Sequence, residues 1–168
     1  MQRIFTYSFL FLMLAFASCV DKPVYPSQPV ITYKGFLRYG SYASPDSVEA
    51  VISFTDNEGD IGLEKADTNG IFNAGNLYMV YLYDSTGNGD WRMWDNDPST
   101  AVMDTFMVAY RVPPVLPEGD PKEPMKGLIY VKLFSFHPPV HPKIMYVVYL
   151  YDKALHRSDT IHTPAILF

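Results

Sequence analysis

Cysteine is nearly absent, with one in 168 residues. A lone thiol builds neither an internal disulfide framework nor a cysteine-based zinc cluster. Charged residues are few, at 18%, and aromatics are plentiful, at 15%, which together exclude a disordered chain. Bases are outnumbered, 13 Lys+Arg against 18 Asp+Glu, and a pI near 5.2 excludes an electrostatic nucleic-acid partner. No amphipathic helix is legible, because apolar residues nowhere recur at i, i+3, i+4 over a useful length. The glycine-flanked serine of a nucleophile elbow is missing. A phosphate-cradling loop is missing too, since Gly87-Asn88-Gly89 has no third glycine and no helix after it. His137 and His141 stand four apart, but Pro138, Pro139 and Pro142 forbid the helix that would align them on zinc. They are expected, with His156 and His162, to be exposed loop residues. These absences give no enzymatic activity to expect.

What is present starts with an address. Arg3 precedes an apolar run from Ile4 to Phe16, interrupted by Thr6 and Ser8, and Ala17-Ser18 lead into Cys19. A basic start, an apolar centre and small residues at the end make a secretory signal over 1–18, too short for a membrane-spanning helix of about 20 residues. Phe16-Ala17-Ser18-Cys19 resembles a bacterial lipobox, with Phe16 where Leu is usual, and the resemblance implies acylation of Cys19 and cleavage before it. The other reading is an ordinary secretory signal with a cysteine nearby. Val20 follows Cys19 where the inner-membrane retention signal of enteric bacteria has Asp, so a lipid-anchored outer-membrane location is expected. Cleavage would leave 12 basic against 18 acidic residues, so the acidic excess belongs to the folded part. Residues 19–29 carry Pro23, Pro26 and Pro29 and read as an extended, lipid-anchored tether. Residues 30–168 read as one domain.

In that domain the hydrophobic period is two. Val48, Ala50, Ile52 and Phe54 alternate with Glu49, Val51, Ser53 and Thr55, and Phe106, Val108, Tyr110 and Val112 repeat the pattern. Residues 144–151 are apolar on both faces, as in a central strand covered on each side or one partly covered by a loop. Seven strands are expected, about 30–39, 47–55, 76–84, 104–112, 127–135, 143–152 and 159–167, separated by Gly, Pro, Asn and Asp turns. The fold class is all-β: an antiparallel β-sandwich, immunoglobulin- or fibronectin-III-like. Pro164 is expected at a bulge or on an edge strand.

Two groups of residues are candidates for binding. Asp56, Glu58 and Asp60 alternate through a turn loosened by Gly59 and Gly62, and oxygen ligands at alternate loop positions suit calcium. An EF-hand is rejected, because Ile61 occupies the obligatory glycine position, Asp67 stands where a Glu is required, and a strand precedes the loop. The other reading is an acidic turn in which Asp56 and Asn57 cap the backbone. The loop 84–91 carries the same two readings, with Asn88-Gly89 fitting a hairpin turn. Trp91, Arg92 and Trp94 form the second candidate, a surface for a protein or glycan partner, because Trp and Arg are enriched where binding energy concentrates.

Three segments resemble one family. Phe54-Thr55-Asp56-Asn57-Glu58-Gly59-Asp60-Ile61-Gly62-Leu63 resembles the "DGDGDIGL" element of a group of small Bacteroidota lipoproteins. Residues 110–119 with 125–129 are similar to its "R-I-P-x-L-T-P-x-G … I-x-G-x-I" stretch, and 151–166 to its "D-R-A-L-N-x-S-N-T-V-x-T-P-E-I" ending. The departures are Glu58 for Asp, His156 for Asn and Ala165 for Glu. The resemblance implies a sandwich on a lipid anchor and no established activity. The expected function is a lipid-anchored extracytoplasmic binding or structural module; the alternative is a carbohydrate-binding or nutrient-uptake accessory lipoprotein.

Overall fold

The structure, a computed structural model, describes residues 22–40, 45–95, 99, 105–116, 119–133 and 141–167. Residues 1–18, Cys19 and His137 lie outside the described residues. In chain order the strands are β1 (Val30–Gly40), β2 (Pro45–Asp56), β3 (Leu77–Asp84), β4 (Trp91–Met93), β5 (Met107–Tyr110), β6 (Met125–Leu133), β7 (Lys143–Leu150), β8 (Ile161–His162) and β9 (Ile166–Leu167). The only helical element among the described residues is a 3-10 turn, Gly70–Asn73, and no helix is long and apolar enough to cross a membrane.

Every strand pairing is antiparallel, in two sheets that face each other. The first sheet has the order β1-β2-β6. In the second, β3 and β7 lie side by side, β4 and β5 share the other edge of β3, and β8 and β9 share the other edge of β7. The fold class expected from the period-two pattern is therefore the one observed. All seven expected strands have counterparts, with two differences. The C-terminal segment splits into β8 and β9 around Thr163-Pro164-Ala165, because Pro164 has no N–H to give the ladder. The tryptophan segment, outside the seven expected strands, supplies β4, since Trp91, Arg92 and Met93 pair back onto Asp84, Tyr83 and Leu82.

The core follows from the pleat. Val48, Ala50, Ile52 and Phe54 face inward from β2 and are matched across the ladder by Leu133, Val131, Ile129 and Gly127. From the second sheet Leu77 and Met79 face Leu150 and Val148 in register. The buried members of these rows, with Ile31, Ile61 and Val112, form one cluster against which the half-buried Ile129 packs, each fully buried aliphatic side chain contributing roughly 1.5–3 kcal/mol. Strand β7 is central in its sheet, with Ile144, Val148 and Leu150 buried and the remaining residues half-buried, so its second face is only partly covered; a bulge at Lys34 bends β1, an edge strand.

One polar residue sits inside this apolar frame. Asn76, the residue before β3, is fully buried and makes five hydrogen bonds. Its Nδ2 donates to the carbonyls of Ile61 (2.6 Å) and Tyr151 (2.9 Å), its Oδ1 accepts from Val112 N (3.0 Å), its N donates to Tyr110 O (3.0 Å), and its O accepts from Tyr151 N (2.9 Å). The segment leaving β2 is thereby fastened to the ends of β5 and β7. Gly62 lets that segment run directly against Pro113 and Pro114, where a Cβ would collide with the proline backbone. Replacing Asn76 by Ala strands three buried main-chain groups, at about 1–3 kcal/mol each. Urea denaturation of Asn76→Ala is expected to show a loss of at least about 3 kcal/mol; a loss below about 1 kcal/mol would mean that water replaces the side chain.

Candidate functional site

The inward row of β2 does not stop at Phe54. Asp56, two residues on, points the same way and is fully buried opposite Met125. The chain then reverses: Gly59 takes φ +66°, with no room for a Cβ beside Glu123 O, and Asp60 returns over Asp56. Asp60 N donates to Asp56 Oδ2 at 3.0 Å, so Asp56 caps the turn. Strand β7 delivers the third group by the same alternation, Val148 and Leu150 inward and then Asp152, also fully buried. Lys153 N donates to Asp60 O (3.0 Å) and locks the two segments together.

One carboxylate oxygen from each of Asp56, Asp60 and Asp152 lies within 4.8 Å of the other two. Asp56 Oδ1 and Asp60 Oδ1 are buried and have no hydrogen-bond partner. Asp60 Oδ2 holds the Lys122 ammonium at 2.7 Å, and that lysine side chain is 65% exposed. Asp152 accepts from His156 N through Oδ1 and pairs with His156 Nδ1 through Oδ2, both at 2.8 Å, across a turn in which Leu155 takes φ +68°. Burial, helped by the charges of Asp60 and Asp152 and opposed by the Asp60 N–H, pushes the Asp56 carboxyl up to about 6. Burial also raises Asp152 against its bonds from His156. The Asp152 carboxylate raises His156, and the bond to Asp60 raises Lys122. The two carboxyl shifts report burial first and neighbouring carboxylates second, and the two base shifts report the carboxylates each base is bonded to.

Of the residues expected to ligate a cation, Asp56 and Asp60 come together and Glu58 does not join them. Glu58 Oε1 accepts from Ser27 Oγ (2.8 Å) and Asn57 Nδ2 (3.3 Å), and the Ser27 hydroxyl holds this carboxyl below the usual range. In a fully extended stretch 56, 58 and 60 would share one side; the reversal at Gly59 brings Asp60 back over Asp56 and leaves Glu58 turned toward Ser27. Asp152 was missed because it lies far along the chain, although continuing the inward row of β7 past Leu150 reaches it.

The other candidates lie at the far end of the second sheet. The loop 84–91 is a hairpin: Ser85 N donates to Asp90 O (2.9 Å), and the Asp84 carboxylate accepts from Thr86 N, Gly89 N and Lys143 Nζ. Trp91 and Trp94 fall on opposite faces. Trp91 pairs with Asp84 and has the Lys143 ammonium 5.3 Å from its ring centroid. Trp94 packs edge-on against Tyr83 and His141, on the face that also carries Tyr81 and Tyr146. Arg92 is held by Asp90 Oδ2 at 2.9 Å. The three residues therefore form no common platform. Two histidines expected as exposed loop residues also have defined partners: His141 stacks on Tyr83 with centroids 4.0 Å apart, because Pro142 leads directly into β7, and His156 is bonded to Asp152.

No family model, no curated protein and no solved structure matches this chain.

The Asp84–Lys143 pair sets an acid limit. Its 2.7 Å contact, with Asp84 fully buried, holds the Asp84 carboxyl below the usual aspartate value. A depressed folded-state pKa gives stability that is present above the unfolded value, near 4, and lost as pH falls through the folded value. Wild type is therefore expected to lose stability as pH falls below about 4, and Lys143→Met to lose less over the same fall in urea titrations. Equal slopes in the two proteins would reject the pair as the cause.

Proposed function

We propose that this protein is a lipid-anchored extracytoplasmic binding or structural module, held at an outer membrane through acylated Cys19 and without a catalytic role. The observation that carries this reading is the two-ended arrangement of the sandwich. Residues 22–28, just beyond Cys19, are fastened to the end that bears the acidic turn. Lys22 Nζ meets Glu123 Oε2 (3.1 Å), Tyr25 N donates to Asn57 Oδ1 (3.3 Å), Ser27 Oγ to Glu58 Oε1 (2.8 Å) and Gln28 Nε2 to Arg157 O (2.6 Å). Strand β3 starts beside Asn76 at this end and runs away from it for eight residues, about 26 Å. The β3–β4 hairpin thus stands at the opposite end, turned away from an anchor at Cys19.

Surface chemistry supports binding in preference to turnover. The outer face of the three-stranded sheet exposes Leu37, Tyr39, Leu128 and Tyr130, apolar area of a kind that partners cover. A groove of about 140 Å³ between the end of β5 and β6 is lined by Tyr110, Val112, Ile129 and Val131 among others, and carries no carboxylate, thiol or imidazole. Charge would not hold a domain with an acidic excess on an anionic membrane, which favours a covalent anchor over an electrostatic one.

Cys19→Ala is expected to move the protein from the membrane fraction to the soluble extracytoplasmic fraction with unchanged circular dichroism. Retention of the variant in washed membranes would refute the anchor.

A further inference from the structure

We propose that Asp56, Asp60 and Asp152 bind one calcium ion, which takes the place of the Lys122 ammonium at Asp60. This goes beyond the anchored-module reading and does not depend on it. The geometry of the three carboxylates is the first support. Oxygens within 4.8 Å of one another fit around an ion whose ligands lie about 2.3–2.6 Å away, with opposite ligands near 5 Å apart. The donors are all carboxylate oxygens, which favours a hard cation over zinc or copper.

The unsatisfied atoms are the second, independent support. Asp56 is 0% and Asp60 6% exposed, and the Oδ1 atom of each has no partner. Buried polar atoms are rarely left so, and a metal ion is one of the few things that removes the cost. Capping does not account for them, since Asp56 uses Oδ2 for the Asp60 N–H and keeps Oδ1 free. Asp152 can join without losing His156, because each carboxylate oxygen has a second lone pair.

Charge is the third. The groups around the three aspartates are Lys122, His156, Glu58 and, across the backbone bond to Asp60, Lys153, whose ammonium is engaged 2.9 Å from Asp67. Lys122 brings one ammonium to the three carboxylates, His156 is bonded to Asp152, and Glu58 adds a further carboxylate nearby. Lys122 is largely in solvent, so its side chain can leave for little cost and free Asp60 Oδ2 as a further ligand.

The test uses the full chain in detergent micelles, stripped with chelator, and reads terbium luminescence sensitised by neighbouring tyrosines. Terbium is expected to saturate a single site and to be displaced by calcium. Calcium at a hundred-fold above its Kd is expected to raise the melting temperature by about 5–10 °C. Asp60→Asn and Asp152→Asn should each weaken binding at least about tenfold, and Lys122→Met should tighten it. No sensitised luminescence, or unchanged affinity in both aspartate variants, overturns the site. Displacement of terbium by magnesium as readily as by calcium overturns the choice of ion. If the aspartate variants do not fold, Lys122→Met, altered only at an exposed side chain, decides: an unchanged midpoint overturns the exchange.

Discussion

The two sheets are held in register at one end by the side chain of Asn76. Apolar contacts between sheets are non-directional, so the core alone allows the layers to slide and rotate at small cost. Hydrogen bonds in a dry interior do not, because each one misplaced leaves a buried group without a partner. Asn76 presents two donors and one acceptor at once and satisfies the carbonyls of Ile61 and Tyr151 and the N–H of Val112. The segment after β2 and the ends of β5 and β7 consequently meet at one point. The positions of Asp60 and Asp152 follow from it, since Ile61 adjoins the first and Tyr151 the second.

The acidic cluster therefore has two obligations. Asp56 closes its turn through one oxygen and faces Asp60 and Asp152 with the rest of its carboxylate, inside a frame too rigid to let the three groups separate. A flexible loop would relieve the repulsion by moving into solvent; this one is pinned by Asn76, by Gly62 against the prolines and by Lys153 N on Asp60 O. Lys122 and His156 offset part of it, and burial, more than the neighbouring charges, makes Asp56 hold its proton more tightly. Raised carboxyl values and unpaired oxygens are two expressions of that constraint.

The sandwich was legible because alternation is a strong local signal: Val48 to Phe54 and the doubly apolar run of β7 can be read without knowing what they pack against. Strand β4 was hidden, since Trp91-Arg92-Met93 is too short to alternate visibly and pairs only because the hairpin at Asn88-Gly89 returns it to β3. Within the site, Asp56 and Asp60 were legible from their spacing in a glycine-bearing turn. Glu58, in the same pattern, was not separable from them, because which side a turn residue faces depends on the reversal at Gly59. Asp152 and Asn76 carry no local motif at all. Their roles arise from strand ends that meet only in three dimensions, although the inward row of β7 continued past its end points at Asp152.

The stapled segment 22–28 bears on what the protein can meet. Between Lys22 and Cys19 the chain has three peptide steps, a span of about 10 Å at full extension. The proposed anchor at Cys19, on so short a leash, would confine the domain to a shell only slightly thicker than itself. For a partner resident in the same membrane, the search becomes two-dimensional and the effective concentration high; for one lying beyond the shell, no affinity compensates for the missing reach. Leash length would then select partners before any surface residue does.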